Sequence, residues 1–503
     1  MYLMNILGND LLNVVKDQPF FFFSYYCDMK RMMMIFAVCL FLIEGVRAQD
    51  FHATPGMETG VLQTLIDKAS DNGGGRVIFG KGKFLIGQLE LKSGVELHLE
   101  EGAFLMGSTS PYDYATVVAN PTAGDRLKDN SHKGLIVAKN AKQIAITGRG
   151  TIDGQGMELA LTVDSLHHTG ELIDPNYNER RMRPSELSRP TLLNIVGCED
   201  VRIEGVRLRN SAGWGLSFNN CRNMVLSCLD IYNRAYWNND GIDLTDCRNV
   251  KVADCCVNSA DDGICLKSYD PAGGNEDITI SNCEIRSSAS AIKFGSASYG
   301  AFRRIKIHGI RVFDTFRSAL AIESVDGATI EDVMADSITA VNTGNALFIR
   351  LGQRSGDRKG AIRRIRVTHL SAQVPFGRPD IDYDLRGPEV DYFHNIHPAP
   401  ICGIPGNFIE DVLLEDVRII YPGRASKSMA YMPLWRKGDV PEQVGKYPEF
   451  TMFGELPSWG FYLRHIRGIK LKNVHLSLEA GDFRPAIVED DVEGLIMENC
   501  QIE

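Results

Sequence analysis

Basic residues are in the minority in this chain of 503: 54 lysines and arginines stand against 64 aspartates and glutamates, for a formal net charge of −10. That balance excludes nucleic acid or an anionic membrane surface as the main partner, because both need a basic face. Beyond residue 48 no apolar run is long enough to anchor the chain in a bilayer, so stable membrane insertion is not expected. Cysteines at metal-binding spacing are missing too, and neither a metal nor another cofactor is expected.

What is present begins with a segment that does not read as fold. From Met29 the chain runs MKRMMMIFAVCLFLIEGVRAQD: Lys30 and Arg31, an apolar stretch from Met32 to Ile43, then small residues ending at Ala48. That order is a secretory signal. It predicts a true start at Met29 after an over-extended beginning, cleavage after Ala48, and export to a periplasmic or extracellular space. Export would permit disulfides, yet the cysteines recur instead of forming a staple framework. Cys198, Cys221 and Cys247 share one place in GCEDV, NCRNM and DCRNV; Cys228, Cys255, Cys283 and Cys500 share another in SCLDI, DCCVN, NCEIR and NCQIE. Recurrence at one offset predicts thiols stacked in successive repeats, where cysteine behaves as a small hydrophobe.

The same recurrence organises the whole chain. VRIEGVRL, MVLSCLDI, VKVADCCV, ITISNCEI, IKIHGIRV and ATIEDVMA return at intervals of roughly 23 to 28 residues, the range of a solenoid. Period-two alternation within each copy reads as strand, and two strand segments per copy with Asn/Asp/Gly turns read as one coil of a parallel β-helix. The fold expected is therefore all-β, one solenoid with a short capping helix at its start. That helix is placed at 60–69, where Val61, Leu62, Leu65, Ile66 and Ala69 fall at helical spacing. Residues 49–114 are assigned to the cap and first strands, and 115–503 to the coils, interrupted by loop insertions at about 375–461. GRGTIDG reads as tight turns between strands with no helix after it, and His167 and His168 as members of an exposed polar loop.

Carboxylates stand at the coil interval. Asp240 precedes Asp261 by 21 positions, and a residue one coil later lies one inter-strand spacing away, about 4.8 Å. Asp240 and Asp261 are thus expected to face each other, with Asp262 joining them only if the backbone bends, for which Gly241 and Gly263 are suited. Three carboxylates at one spot repel, so at least one should keep its proton at neutral pH; glycoside hydrolysis requires such a pairing of acid and carboxylate. Aspartates also cap β-helix turns, the role assigned to Asp243, Asp246 and Asp254.

After Ala48 most of the chain resembles glycoside hydrolase family 28, the polygalacturonases and rhamnogalacturonan hydrolases. The resemblance rests on GGGRVIFGKGKFLIGQLELKSGVELHLEEGAFLMGS, on NIVGCEDVRIEGVRLRNSAGWGLSF, on Asn238, Asn239 and Asp240 at the family's Asn-Thr-Asp motif, and on Asp261 and Asp262 at its Asp-Asp motif. It implies a right-handed parallel β-helix and metal-free hydrolysis with inversion. Asp261 would be the general acid, and Asp240 and Asp262 would hold the attacking water. Two departures matter. Ser290 stands where the family has the histidine of Gly-His-Gly, with Lys293 nearby, and Ala321, Ile322 and Glu323 stand at its Arg-Ile-Lys. That pair of cations grips a sugar carboxylate in polygalacturonases, so a neutral sugar, or a uronate held by other cations, is expected here. Asn238, Lys267, Lys293, Arg317, Arg350 and Arg354 are the candidate substrate-binding residues. The insertion carries His394, His397, Tyr431, Trp435, Arg436, Tyr447, Phe453 and Trp459, which either stack on sugars or pack over the coils; Trp214 reads as packing. The function expected is exo-acting hydrolysis of pectin-like polysaccharide by a monomer. A non-catalytic glycan-binding β-helix and a polysaccharide lyase are the alternatives.

Overall fold

The computed structural model describes residues 49–117, 132–380, 394–430 and 438–503, with the side chains of 429 and 430 excepted. The expected leader and the insertion residues Tyr431, Trp435 and Arg436 lie outside these residues.

Alternation decides the local structure. In the strands Arg222–Ser227 and Arg248–Ala253, Met224, Leu226, Val250 and Val252 point inward and are buried, while Arg222 and Lys251 face water. The two strands pair in parallel, Met224 on Val250 and Leu226 on Val252, and the same stacking joins every coil into one right-handed parallel β-helix. The coils around the aspartates have three strands, not the two expected: Ile242–Thr245, Arg248–Ala253 and Cys256–Ser259 are followed one coil later by Ile264–Ser268, Gly274–Ser281 and Glu284–Ser287. The corner missed in VKVADCCV is Asp254, whose φ of 56° turns the chain in one residue. Cys228 and Asn282 do the same in the neighbouring coils. A left-handed residue of this kind, often Asn or Asp, bends the strand without breaking its apolar alternation.

Inside the coils, Leu193, Leu216, Ile242, Ile264, Ile292, Leu320 and Leu347 follow one another in register. All are buried, and each such side chain contributes about 1.5–3 kcal/mol. The recurring cysteines Cys198, Cys221, Cys247, Cys228, Cys255, Cys283 and Cys500 are all free thiols. Cys228 and Cys500 are only half-buried, the rest fully.

The cap forms over Thr59–Asp71 and buries Leu62, Ile66 and Ala69 against the first coil. The strand Gln49–Ala53 already pairs with Gly75–Phe79, so stacking begins well before residue 115. A second helix, Gly156–Thr169, follows GRGTIDGQG directly, contrary to expectation, and buries Leu159, Ala160 and Val163. His167 and His168 therefore occupy a last helical turn, where His167 stacks on Tyr177 with ring centroids 4.1 Å apart.

The late interruption is also divided. Ala399–Cys402, Ile409–Glu415 and Arg418–Tyr421 lie within it and continue the coil ladders. Two excursions remain, near 374–398 and 422–460. The second is fastened to the outer face of the β-helix by an apolar seam, in which Val440, Phe450, Phe453 and Leu456 pack with Ala321, Phe348, Cys402 and Tyr462.

Candidate active site

Asp240 and Asp262 each stand two residues before strands that pair Ile242 on Ile264, and the Gly241 N–H donates to the Asp262 carbonyl at 2.9 Å. The residue stacked on Asp240 is therefore Asp262. Asp261 is displaced by one position, its N–H donating to the Asn239 carbonyl at 3.3 Å. One oxygen from each of Asp240, Asp261 and Asp262 nevertheless lies within 4.8 Å of the others. Asp240 and Asp262 are buried and Asp261 is half-open to solvent. Gly241 and Gly263 serve close approach instead of a bend. A Cβ on Gly241 would sit 2.4 Å from the Gly263 carbonyl oxygen, and one on Gly263 would sit 2.6 Å from that of Ala291.

The segment before Asp240 is pinned from below. The Asn239 amide donates to the carbonyls of Ser211 (3.0 Å) and Gly213 (2.7 Å) and accepts the Tyr236 N–H. Asn238, at φ 55°, accepts a hydrogen bond from Arg189, a fully buried guanidinium that also donates to the carbonyls of Ala212 and Trp237. The Asn238 side chain, expected to meet substrate, thus has an internal partner.

Two lysines set the charge. The Lys267 ammonium is 3.0 Å from Asp240 and 2.7 Å from Asp243, and it lies 3.8 Å from the centroid of the buried Trp214 ring. Asp243 is therefore part of the site's charge network and not a turn cap. Asp246 does cap, accepting the N–H groups of Tyr269 and Asp270. Burial, together with the Asp243 charge, pushes Asp240 well above the usual carboxylate range against the pull of Lys267. Burial pushes Asp243 up to about 6, again opposed by Lys267. Burial would lower Lys267, but the two carboxylates outweigh it and hold its proton firmly.

Across the site, the Lys293 ammonium is 3.1 Å from Asp262, and the Ser290 N–H donates to the same carboxylate at 3.1 Å. Burial alone would raise Asp262; Lys293, Lys267 and Arg317 outweigh it and hold this carboxyl below its ordinary value. Asp261 goes the other way, raised first by burial and then by the Asp262 charge. Asp240 and Asp261 thus both tend to keep their protons, beside Asp262, which readily loses its own.

The expected cationic grip is largely occupied from within the chain. Lys293 also donates to the Tyr447 hydroxyl at 3.0 Å, and Arg317 is 2.6 Å from Glu449. Arg350 is buried and donates to the carbonyls of Gly403, Glu442 and Gln443, so it fixes the second excursion in place. Arg354 clamps Asp326 through two nitrogens. Arg350 and Arg354, expected to meet substrate, thus have partners within the chain. The departures at 321 and 323 have a packing cause as well. Ala321 follows Lys293 in register one coil later and belongs to the apolar seam, where an arginine would have no room. Glu323 is buried beside Lys293 and is pushed up to about 8 by burial.

Sequence reasoning missed the other side of the site. Residues 170–190 form an excursion after the second helix, and Arg183 from it lies over the Trp237 ring at 4.3 Å. It also missed Asp380, which accepts hydrogen bonds from Arg286 and Ser288 and ties the first excursion to the coil after Asp262. The only signal available was the long gap in the repeats before Thr191.

The fold and site define a class: right-handed parallel β-helix proteins with a carboxylate trio on one outer face. The chain belongs to the glycosyl hydrolases family 28, whose family model matches residues 77–331, half of its length. It is 26% identical to a probable polygalacturonase of Vitis vinifera, over 61% of this chain and 55% of that protein. It is 25% identical to an exo-poly-alpha-D-galacturonosidase of Dickeya chrysanthemi, over 41% and 39%. The chain thus spans about half or less of the length of these curated relatives. In fold it is similar to a hyperthermoactive exopolygalacturonase from Thermotoga maritima, with a TM-score of 0.57 at 20% identity over 75% of this chain and 88% of that one.

Proposed function

We propose that this chain is an exported glycoside hydrolase that cleaves pectin-like polysaccharide from a chain end. The observation that carries the reading is the contrast between Asp261 and Asp262: Asp261, raised, half-open and without a lysine among the ion pairs of the site, is suited to protonate the leaving oxygen, and Asp262, held ionised by Lys293, is the base that activates water. Asp240 orients that water and is itself steadied by Lys267. The names of the matched relatives, a polygalacturonase and an exo-galacturonosidase, support the substrate class. Lysines already neutralise Asp240 and Asp262, which leaves a lyase's calcium ion little charge to bind. The second excursion supports exo action: it packs on the outer face at Ala321 and Phe348 just beyond Lys293, where an open groove would continue.

Digestion of oligogalacturonides tests this directly. A monosaccharide or a single short oligosaccharide should appear from the first time point, and a ladder of intermediate lengths would place cleavage inside the chain. The same digestion settles stereochemistry. Oxygens within 4.8 Å are closer than the ~6.5–9.5 Å typical between acid and base of inverting glycosidases and nearer the ~5–5.5 Å of retaining ones, whereas family membership supports inversion. NMR of the first product should show the inverted anomer; the retained anomer would make one aspartate a nucleophile.

The dependence of kcat/KM on pH is expected to be a bell. Activity requires Asp261 protonated, so it falls as pH rises through a carboxyl raised above its ordinary value. It requires Asp262 ionised, so it falls at low pH through a carboxyl held below its ordinary value. A rate that keeps climbing into alkaline pH would contradict the assignment of the acid.

A further inference from the structure

The cations nearest Asp262 have carboxylate or hydroxyl partners of their own: Lys293 with Asp262 and Tyr447, Arg317 with Glu449. On the opposite side stands one that does not balance. Arg183 is 6% exposed, yet its Nε and Nη1 have no hydrogen-bond partner among the described residues. Among the described residues it pairs through Nη2 with Glu186 at 3.2 Å. A buried guanidinium with unsatisfied N–H groups is costly unless something else meets them.

Its surroundings point to what that is. Arg183 lies against the ring of Trp237, the residue before Asn238, and is close enough to Asp261 to feel its charge. Trp237 is half-open to solvent, and an indole ring of this kind offers an apolar surface to a sugar. Guanidinium groups recognise carboxylates with two parallel hydrogen bonds where a lysine gives a point charge.

We propose that Arg183 is the carboxylate-recognising residue of this site: a uronate seated at Trp237, beside Asp261, turns its carboxylate to the unpartnered nitrogens of Arg183. This rests on the hydrolase reading above and deepens it by assigning the grip on the acidic sugar to a residue on the Asp261 side. It also moves the acid-sugar grip away from the coil of Ala321 and Glu323, which the second excursion covers.

The test compares oligogalacturonides with the same oligosaccharides after reduction of their carboxyl groups, using wild type, Arg183→Gln and Arg183→Lys. For Arg183→Gln the ratio of kcat/KM on acidic over reduced substrate should fall about 10–100-fold, the range for hydrogen bonds to a charged group. Arg183→Lys keeps the charge without the fork and should fall less; it also serves if the glutamine variant does not fold. An unchanged ratio in both variants, or equal losses on both substrates, would overturn the proposal. Calorimetric titration of a galacturonate trimer into each protein separates this from the hydrolase reading. Binding by wild type that weakens in Arg183→Gln upholds Arg183 even if no bond is cleaved. Absence of binding to wild type, or equal binding by both, overturns it even if hydrolysis is observed on other sugars.

Discussion

Replacing Asp261 with asparagine is expected to lower kcat by about 10²–10⁴-fold, the contribution of a positioned general acid, with the melting temperature unchanged or slightly higher. The amide keeps the shape of the carboxyl and cannot give a proton to the leaving oxygen. Stability should not suffer, because burial and the Asp262 charge already disfavour ionisation of Asp261, and Asp261 is the member of the trio without a lysine at hydrogen-bond distance among the ion pairs of the site. Steady-state kinetics with a thermal melt on the same preparation checks both halves. Full turnover in the variant would remove Asp261 as the acid, and a collapse in melting temperature would make it a structural residue.

The second large effect is at Lys267. Lys267→Met should destabilise the protein by about 3–5 kcal/mol, the penalty for removing one partner of a buried ion pair, because it leaves Asp240 and Asp243 facing each other without a cation. Turnover should fall with it, since loss of the ammonium removes the pull that opposes burial and the Asp243 charge at Asp240, shifts that carboxyl further toward its protonated form and weakens its hold on water. Asp243→Asn placed on top of Lys267→Met removes one of the two stranded charges, so the double variant should regain part of the lost melting temperature. A single variant that melts like wild type would show that the lysine is not the counter-ion of this pair. Additive losses in the double variant would show that the two carboxylates do not compete for it.

Much of this architecture was legible in the sequence because a solenoid writes its contacts at a fixed interval. The stacked cysteines and the in-register column from Leu193 to Leu347 are one rule applied coil after coil. The three aspartates were legible for the same reason, although Asp262 and not Asp261 stacks on Asp240. The third strand per coil was hidden because Asp254 turns the backbone within an uninterrupted apolar pattern. The helix Gly156–Thr169 was hidden behind a glycine-rich run that reads as turns. What could not be read were contacts made by loops. Lys293 meets Tyr447 across 154 positions and Arg286 meets Asp380 across 94, and no periodicity connects them. That is why Lys293, Arg317, Arg350 and Arg354 looked like free cations in the sequence and have internal partners in the fold. It is also why Asp243, set aside as a turn residue, proved to share Lys267 with Asp240.

Hydrolysis of a glycosidic bond by the aspartate trio, with Asp261 as its acid, is the proposal on which the other predictions depend. It is tested most directly by incubating wild type and Asp261→Asn with a panel of pectic oligosaccharides while following new reducing ends and ultraviolet absorbance together. Wild type should release reducing ends from at least one acidic oligosaccharide without absorbance from a new double bond, and the variant should give neither signal. A rise in double-bond absorbance would make the protein a lyase. Binding without new reducing ends across the panel would make it a glycan-binding β-helix, and either result would contradict the account.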